Sequence, residues 1–316
     1  MHYNTPTFCF GGIDQSPAAY RFCTYRDGAV FSEIRALDVS RFKGASFRPL
    51  SSCDPKVLCQ NADRPKPNTD WPLFRRTPCR AGYTRDAASP PFVSVWKTAT
   101  GGGLHQGSPI LKGGSLFVGT QNEDRLNASG LVAIDASDGA VQWRHQTESS
   151  IKHSPAAEGD RVFAVTVTGE VLALSTADGC PLWTYHLGNP SERWIYSSPL
   201  PWEGRLFTGM PSCFVALDQD CGDVIWRRED LGTMRDWIAS YPSPAAFEDV
   251  IVIAFYGDLM NLAVLEAATG KTIWLNEEEK THRVSTSPVV APDGTIFVVS
   301  GRSCVRAFDI WTREIV

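Results

Sequence analysis

Ser154-Pro155-Ala-Ala-Glu-Gly-Asp160-Arg-Val-Phe-Ala-Val-Thr-Val-Thr-Gly169-Glu-Val-Leu-Ala-Leu-Ser175-Thr-Ala-Asp-Gly179-Cys-Pro-Leu-Trp183 reads as four short strands cut by turns. Ser154-Pro155-Ala-Ala opens the first, Arg161 to Val167 makes the second, Glu170 to Leu174 the third and Pro181 to Tyr185 the fourth. Alternating and β-branched apolar residues mark the strands, and Glu158-Gly-Asp160 and Thr168-Gly169 mark the turns. The unit returns along the chain. Its opening dipeptide recurs at Ser108-Pro109, Ser154-Pro155, Ser198-Pro199, Ser243-Pro244 and Ser287-Pro288, and its closing turn at Asp135 to Trp143, Ser175 to Trp183, Asp218 to Trp226 and Glu266 to Trp274. A period of about 45 residues with several strands per unit belongs to β-propeller blades, whose single sheets cannot bury both faces without neighbours. The expected fold is therefore all-β: a propeller of four-stranded blades, with about five repeats.

Two residues of the closing turn have definite physical work. Gly139, Gly179, Gly222 and Gly270 each stand four residues before a tryptophan, where a tight hairpin asks for positive φ. The acidic or hydroxyl residue opening the turn can accept backbone N–H bonds. Trp143, Trp183, Trp226 and Trp274, with Trp96 ahead of them, are expected on outer strands, covering the next blade and needing a partner for each indole N–H. Their shared position makes them mortar between blades rather than a cofactor stack.

Ser-Pro opening a blade and Asp-x-x-x-Gly-x-x-x-Trp closing it resembles the pyrroloquinoline quinone (PQQ)-like propeller repeat. The resemblance covers roughly residues 90 to 316. It implies either a quinoprotein dehydrogenase or a non-enzymatic relative such as the outer-membrane assembly propeller, and fold alone does not choose between them. The fifth unit ends Asp309-Ile-Trp-Thr-Arg313-Glu-Ile-Val316, with Arg313 at the glycine position and the chain stopping where the next tryptophan would follow. Such rings usually close with about eight blades, so the expectation is an incomplete ring in a fragment of a longer protein.

Three segments are expected: residues 1–45, a Pro-rich linker at 46–90, and the repeats at 91–316. In the first, Arg26-Asp27-Gly28 between strand-like runs signals a hairpin. Cys9-Phe-Gly-Gly-Ile-Asp14-Gln-Ser-Pro17-Ala-Ala-Tyr20-Arg21 resembles the end of a calcineurin-like metallophosphoesterase domain, which is sometimes joined to a PQQ-like propeller. That family's Asp-x-His, Gly-Asn-His and Gly-His-x-His segments are not in this sequence, and a dinuclear hydrolytic site needs such ligands. Phosphoesterase activity would belong to residues upstream. In the linker, Pro49, Pro55, Pro65, Pro67, Pro72, Pro78, Pro90 and Pro91 suggest a segment packing on the propeller rim. Asp70-Trp-Pro-Leu-Phe-Arg75-Arg76 looks like the usual lead-in to such a propeller.

A net charge of -5 argues against nucleic acid as a partner, and no apolar run is long enough for a membrane helix. Family resemblance, rather than composition, suggests export to a periplasmic or extracellular space. The 9 cysteines show no C-x-x-C spacing. Cys53 with Cys59 and Cys213 with Cys221 could bridge in an oxidising compartment, or the thiols are small buried apolar groups.

The connections from each outer strand to the next Ser-Pro carry a recurrent basic and aromatic theme: Lys152-His153, Arg193-Trp194 with Tyr196, Arg235 and Trp237 with Tyr241, and His282-Arg283. Converging on one face, they could hold a protein partner or a small anionic ligand; alternatively the rings pack beneath the loops and the charges stay solvated. A quinoprotein dehydrogenase, by the resemblance, would ask for adjacent cysteines and a calcium held by Glu, Asn and Asp beside a catalytic Asp. The sequence has no Cys-Cys pair, and Glu277-Glu278-Glu279 reads as a solvated loop. The expectation is a non-catalytic binding or scaffold module with no cofactor, no metal and no catalytic residues. The alternatives are the propeller end of a metallophosphoesterase and a PQQ-dependent dehydrogenase.

Overall fold

The computed structural model describes residues 19–26, 29–36, 70–82, 94–121, 128–188, 195–210, 213–231, 242–254, 262–276, 286–300 and 304–312. The chain divides into two compact units, Met1–Gln60 and Asn61–Val316. In the first, β1 (Ala19–Arg26) pairs antiparallel with β2 (Ala29–Ala36), with Arg26 opposite Ala29.

The second unit is a run of blades. β3 (Ile110–Lys112), β4 (Ser115–Thr120), β5 (Gly130–Asp135) and β6 (Val141–Gln146) form the first, in sequence order across the sheet. The second is β7 (Ala156–Glu158), β8 (Arg161–Val165), β9 (Glu170–Ser175) and β10 (Pro181–His186), matching the strands read from the repeat. β11 (Leu200–Trp202), β12 (Arg205–Met210), β13 (Cys213–Asp218) and β14 (Val224–Arg228) make the third. β15 (Ala245–Phe247), β16 (Val250–Ala254), β17 (Leu262–Glu266) and β18 (Thr272–Asn276) make the fourth. The fifth has β19 (Val289–Val290), β20 (Thr295–Ser300) and β21 (Cys304–Asp309). All neighbouring pairs are antiparallel, and each Ser-Pro directly precedes an inner strand.

The core lies between the blades. Phe117, Leu131 and Ala133 of the first blade meet Ala157, Val162, Ala164, Leu172 and Leu174 of the second. Phe163, Val165, Val171 and Ala173 meet Leu206, Val215 and Leu217, and the two later junctions repeat the arrangement. Each junction is an apolar layer that neither sheet could bury alone.

The closing turns lock these layers. The indole N–H of Trp96, Trp143, Trp183, Trp226 and Trp274 donates to the carbonyl of Ala136, Thr176, Gln219, Ala267 and Ile310 respectively, at 2.9 to 3.2 Å. Each acceptor directly follows the residue that opens the next blade's closing turn. The glycines lie under these rings: a Cβ on Gly179 would stand 2.5 Å from the Trp143 ring, and φ there is +71°. Gly139, Gly222 and Gly270 meet Trp96, Trp183 and Trp226 in the same way. The position therefore needs glycine for its backbone angle and for the indole above it. Asp218 Oδ1 accepts from the amides of Asp220 and Cys221, and Asp309 Oδ1 from those of Trp311 and Thr312, holding the turns.

The serine of Ser-Pro joins one blade to the next. The amide of Ser108 donates to Ser154 Oγ, that of Ser198 to Ser243 Oγ and that of Ser243 to Ser287 Oγ, at 2.8 to 2.9 Å.

The thiols of Cys213 and Cys221 are free, so this local bridge is not formed. Cys213 is buried with its Sγ 3.1 Å from the Leu187 carbonyl, whereas Cys221 is exposed; Cys180 is exposed and free too, so burial describes only part of the cysteine set. Cys53 and Cys59 lie outside the described residues.

Candidate functional site

The rim reading of the Pro-rich stretch needs correcting for residues 70–82, which pack on the inner strands. Trp71 exchanges backbone bonds with Leu111 of the first blade, the Ala157 amide donates to the Pro72 carbonyl, the Ala246 amide to that of Pro78, and the Val290 amide to that of Cys79, at 2.8 to 3.0 Å. These donors occupy the second position of their inner strands, in the first, second, fourth and fifth blades. In the third blade that position is Pro201, which has no N–H to give. There the segment turns instead, with Arg75 and Arg76 at positive φ, and Leu73 enters the apolar layer beside Leu200 and Phe207. An inner strand is a sheet edge with unpaired amides, and the chain's own segment satisfies them.

Around this segment lies a cluster of cations and rings in which Arg80, Lys152 and Tyr196 are buried. Arg80 is fully buried, donating from Nε to the Pro244 carbonyl at 2.8 Å and from Nη1 to the Phe74 carbonyl at 2.7 Å. Its guanidinium stands over the Phe74 ring, 5.7 Å from the centroid, as that of Arg75 does at 5.6 Å. His153 meets the same ring edge-on at 5.5 Å, with Nδ1 2.8 Å from Ser198 Oγ. Lys152 is buried with its ammonium over the Tyr196 ring at 5.5 Å, and His105 packs against Tyr196 at 5.5 Å. Burial, then the charges of Arg80 and His105, push the His153 imidazole down to about 3, so it is neutral near pH 7. Burial and Arg75 hold Arg80 down to about 9.

Three of the ten ligand candidates fall among the described residues, and the structure brings them together. Lys152, His153 and Tyr196 lie at the hub, with Lys152 and Tyr196 buried rather than solvated. Arg193, Trp194, Arg235, Trp237, Tyr241, His282 and Arg283 lie outside the described residues. Phe74, Arg75, Arg80 and His105 escape a reading built on the repeat, because none occupies a recurring position. The one signal for Phe74, Arg75 and Arg80 is the density of arginines and aromatics between Trp71 and Arg80, and His105 has none.

A calcium-held quinone would need carboxylate oxygens around the metal. The hub offers guanidinium, ammonium, imidazole and hydroxyl groups, and no cluster of three or more His, Cys, Asp or Glu able to hold a metal occurs among the described residues. The repeat tryptophans are spent between blades. These side chains do not fit the calcium and quinone pair.

Known proteins bear on residues 93–316, which match the family described as outer membrane protein assembly factor BamB. Among curated proteins the chain is similar to the quinohemoprotein alcohol dehydrogenase ADH IIB of Pseudomonas putida, 26% identical over 32% of this chain and 18% of that protein. It is also similar to the polyvinylalcohol dehydrogenase of a Sphingopyxis species, 25% identical over 42% of this chain and 23% of the relative. The chain thus spans under a quarter of the length of these relatives. Among solved structures, BamB from Moraxella catarrhalis superposes with a TM-score of 0.51 at 24% identity, covering 64% of this chain and 57% of that one. A europium-containing methanol dehydrogenase gives 0.62 at 12% identity, covering 78% and 57%. These likenesses agree on the propeller and differ in chemistry. The metallophosphoesterase resemblance falls in residues 1–45, outside the matched stretch. With its blades, closing turns and matched length together, the chain belongs to the PQQ-like propeller family of the outer membrane protein assembly factor BamB.

Proposed function

We propose that this propeller is a non-catalytic binding module of an exported assembly apparatus, presenting the connections between outer and inner strands to a protein partner. The observation that carries the reading is the filled hub: inner-strand amides that could face a small ligand are spent on residues 71–79 of the chain itself. What remains for recognition is the set of outer-to-inner strand connections whose sequence carries Arg193, Trp194, Arg235, Trp237, Tyr241, His282 and Arg283. Arginine and aromatic side chains on loops over a rigid scaffold are the groups that dominate protein interfaces. No helix among the described residues is long and apolar enough to cross a membrane.

The test places a photo-crosslinking residue at Arg193, Trp237 or Arg283, and at Leu182 on an outer strand as the control. Capture of a component of outer-membrane protein assembly from the loop positions and not from Leu182 supports the reading. Equal capture from all four positions refutes it. Alcohol-dependent dye reduction after loading with pyrroloquinoline quinone and calcium would replace it with the dehydrogenase reading.

A further inference from the structure

We propose that the fifth blade takes a strand from a partner protein, an extended segment with tryptophan and tyrosine at alternate positions, along the outer edge of β21. The second blade shows what such a strand would meet. On the side facing the third blade, β8 and β9 present Phe163 opposite Ala173 and Val165 opposite Val171. β20 and β21 present the same four residue types in the same register, Phe297 opposite Ala307 and Val299 opposite Val305. In the second blade β10 lies alongside, pairing Trp183 with Ala173 and Tyr185 with Val171. The Trp183 ring stands 6.0 Å from that of Phe163, and Tyr185 packs against the same layer. Among the described residues no strand pairs with the outer edge of β21.

Burial follows the same division. Phe163, Val165, Val171 and Ala173 are buried, whereas Phe297 is 40% exposed and Val305 72%. A phenyl beside an indole is a repeated seat in this fold, with Phe117 and Trp143 at 5.7 Å and Phe207 and Trp226 at 5.8 Å. Phe297 stands in the equivalent place without an indole from the described residues. The backbone selects the class of occupant. A strand edge offers N–H and C=O groups that another extended backbone pairs along its length, so a β-strand suits it where a helix does not. Alternate side chains of that strand fall on one face. A tryptophan opposite Ala307 would reach Phe297, and a tyrosine two residues later would lie opposite Val305, as Trp183 and Tyr185 do in the second blade. This edge belongs to β21 and not to the outer-to-inner connections, so it takes its occupant whether or not those connections hold a partner.

The experiment titrates the full chain into a fluorescent peptide with the sequence of residues 181 to 187, Pro-Leu-Trp-Thr-Tyr-His-Leu, and follows anisotropy. Saturable binding is expected, weakened about ten-fold by Trp183→Ala within the peptide, the loss that removal of a buried indole brings. Phe297→Ser in the chain should weaken binding of the unaltered peptide to a similar extent. A peptide that does not bind overturns the proposal, as does one indifferent to both substitutions. The peptide variant leaves the protein untouched, so the result stands even where Phe297→Ser disturbs folding. A photoreactive group in place of Thr184 of the peptide is expected to label β21; labelling of β6, β10, β14 or β18 instead overturns the site. If the peptide fails to bind and sedimentation finds the chain paired with itself, a second copy holds the edge and the proposal is overturned.

Discussion

The outer ring of this molecule and its hub are built on opposite plans. In the ring one contact is made over and over: an indole lies on a glycine and donates to the carbonyl that follows the first residue of a turn, at each junction from Trp96 to Trp226. At the hub nothing recurs, because residues 70–82 pass the inner strands once and use a different residue at each blade. A repeated constraint leaves the same residues at a fixed spacing. A unique one leaves a composition with no period, so equally firm structure reads as a linker.

The largest expected effect belongs to the ring. Gly179→Val puts a β-branched side chain at φ +71° and drives its Cβ toward the Trp143 ring, where 2.5 Å separates them before any adjustment. Left-handed strain and overpacking together should cost about 3–5 kcal/mol. Gly159 also has positive φ, but a Cβ there would meet nothing within 4 Å, so this position isolates the strain alone. Gly159→Val should cost about 1–2 kcal/mol. Urea midpoints for the two variants check the difference, and equal losses would mean the indole contact adds nothing.

The ring also contains its own control. Strand pairing makes Val171 of the second blade and Val305 of the fifth equivalent, opposite Val165 and Val299. Val171 is fully buried against the third blade, but Val305 is 72% exposed, as are Phe297 and Val299 in part, because that face carries no following blade among the described residues. Val171→Ala should cost about 2–3 kcal/mol, and Val305→Ala should stay within about 0.5 kcal/mol. A similar loss at both sites would show that the fifth face is covered in solution, and sedimentation would then find the cover.

How much is legible in the sequence follows from this division. Ser154-Pro155, Gly179 and Trp183 announce a blade, its inner edge and its closing turn, because each has a counterpart about 45 residues away. Lys152, His153 and Tyr196 stand out as a group, and they do meet, with Lys152 and Tyr196 buried; burial of the lysine against Tyr196 cannot be read from a motif that looks solvated. Arg80 leaves no mark. Its role depends on meeting Pro244, 164 residues away, and no local pattern encodes that meeting.

At the hub, pH offers a sharper probe than mutation alone. The folded-state value of His153, about 3, lies below its ordinary 6.5, so as pH falls through 6.5 the unfolded chain takes a proton that the folded chain refuses. Stability is thus full above pH 6.5 and falls between 6.5 and 3, by up to about 1.4 kcal/mol per pH unit. His153→Gln keeps a polar group for Ser198 Oγ and should flatten that part of the profile relative to wild type. A wild-type slope that survives the substitution would place the titrating group elsewhere.

A single hydroxyl tests the place where ring and hub meet. Ser243 belongs to the repeat, yet its hydroxyl accepts the Ser198 amide across a blade boundary at 2.8 Å, with both groups buried. Removing the acceptor leaves an N–H without a partner, so Ser243→Ala should cost about 1–2 kcal/mol although it deletes a single atom. Ser243→Thr keeps the hydroxyl and separates loss of the bond from loss of fit. If alanine and threonine are equally harmful, the serine recurs because the inner corner is narrow. If threonine is the milder change, the dipeptide that marks each blade in the sequence is there because its hydroxyl ties that blade to the one before.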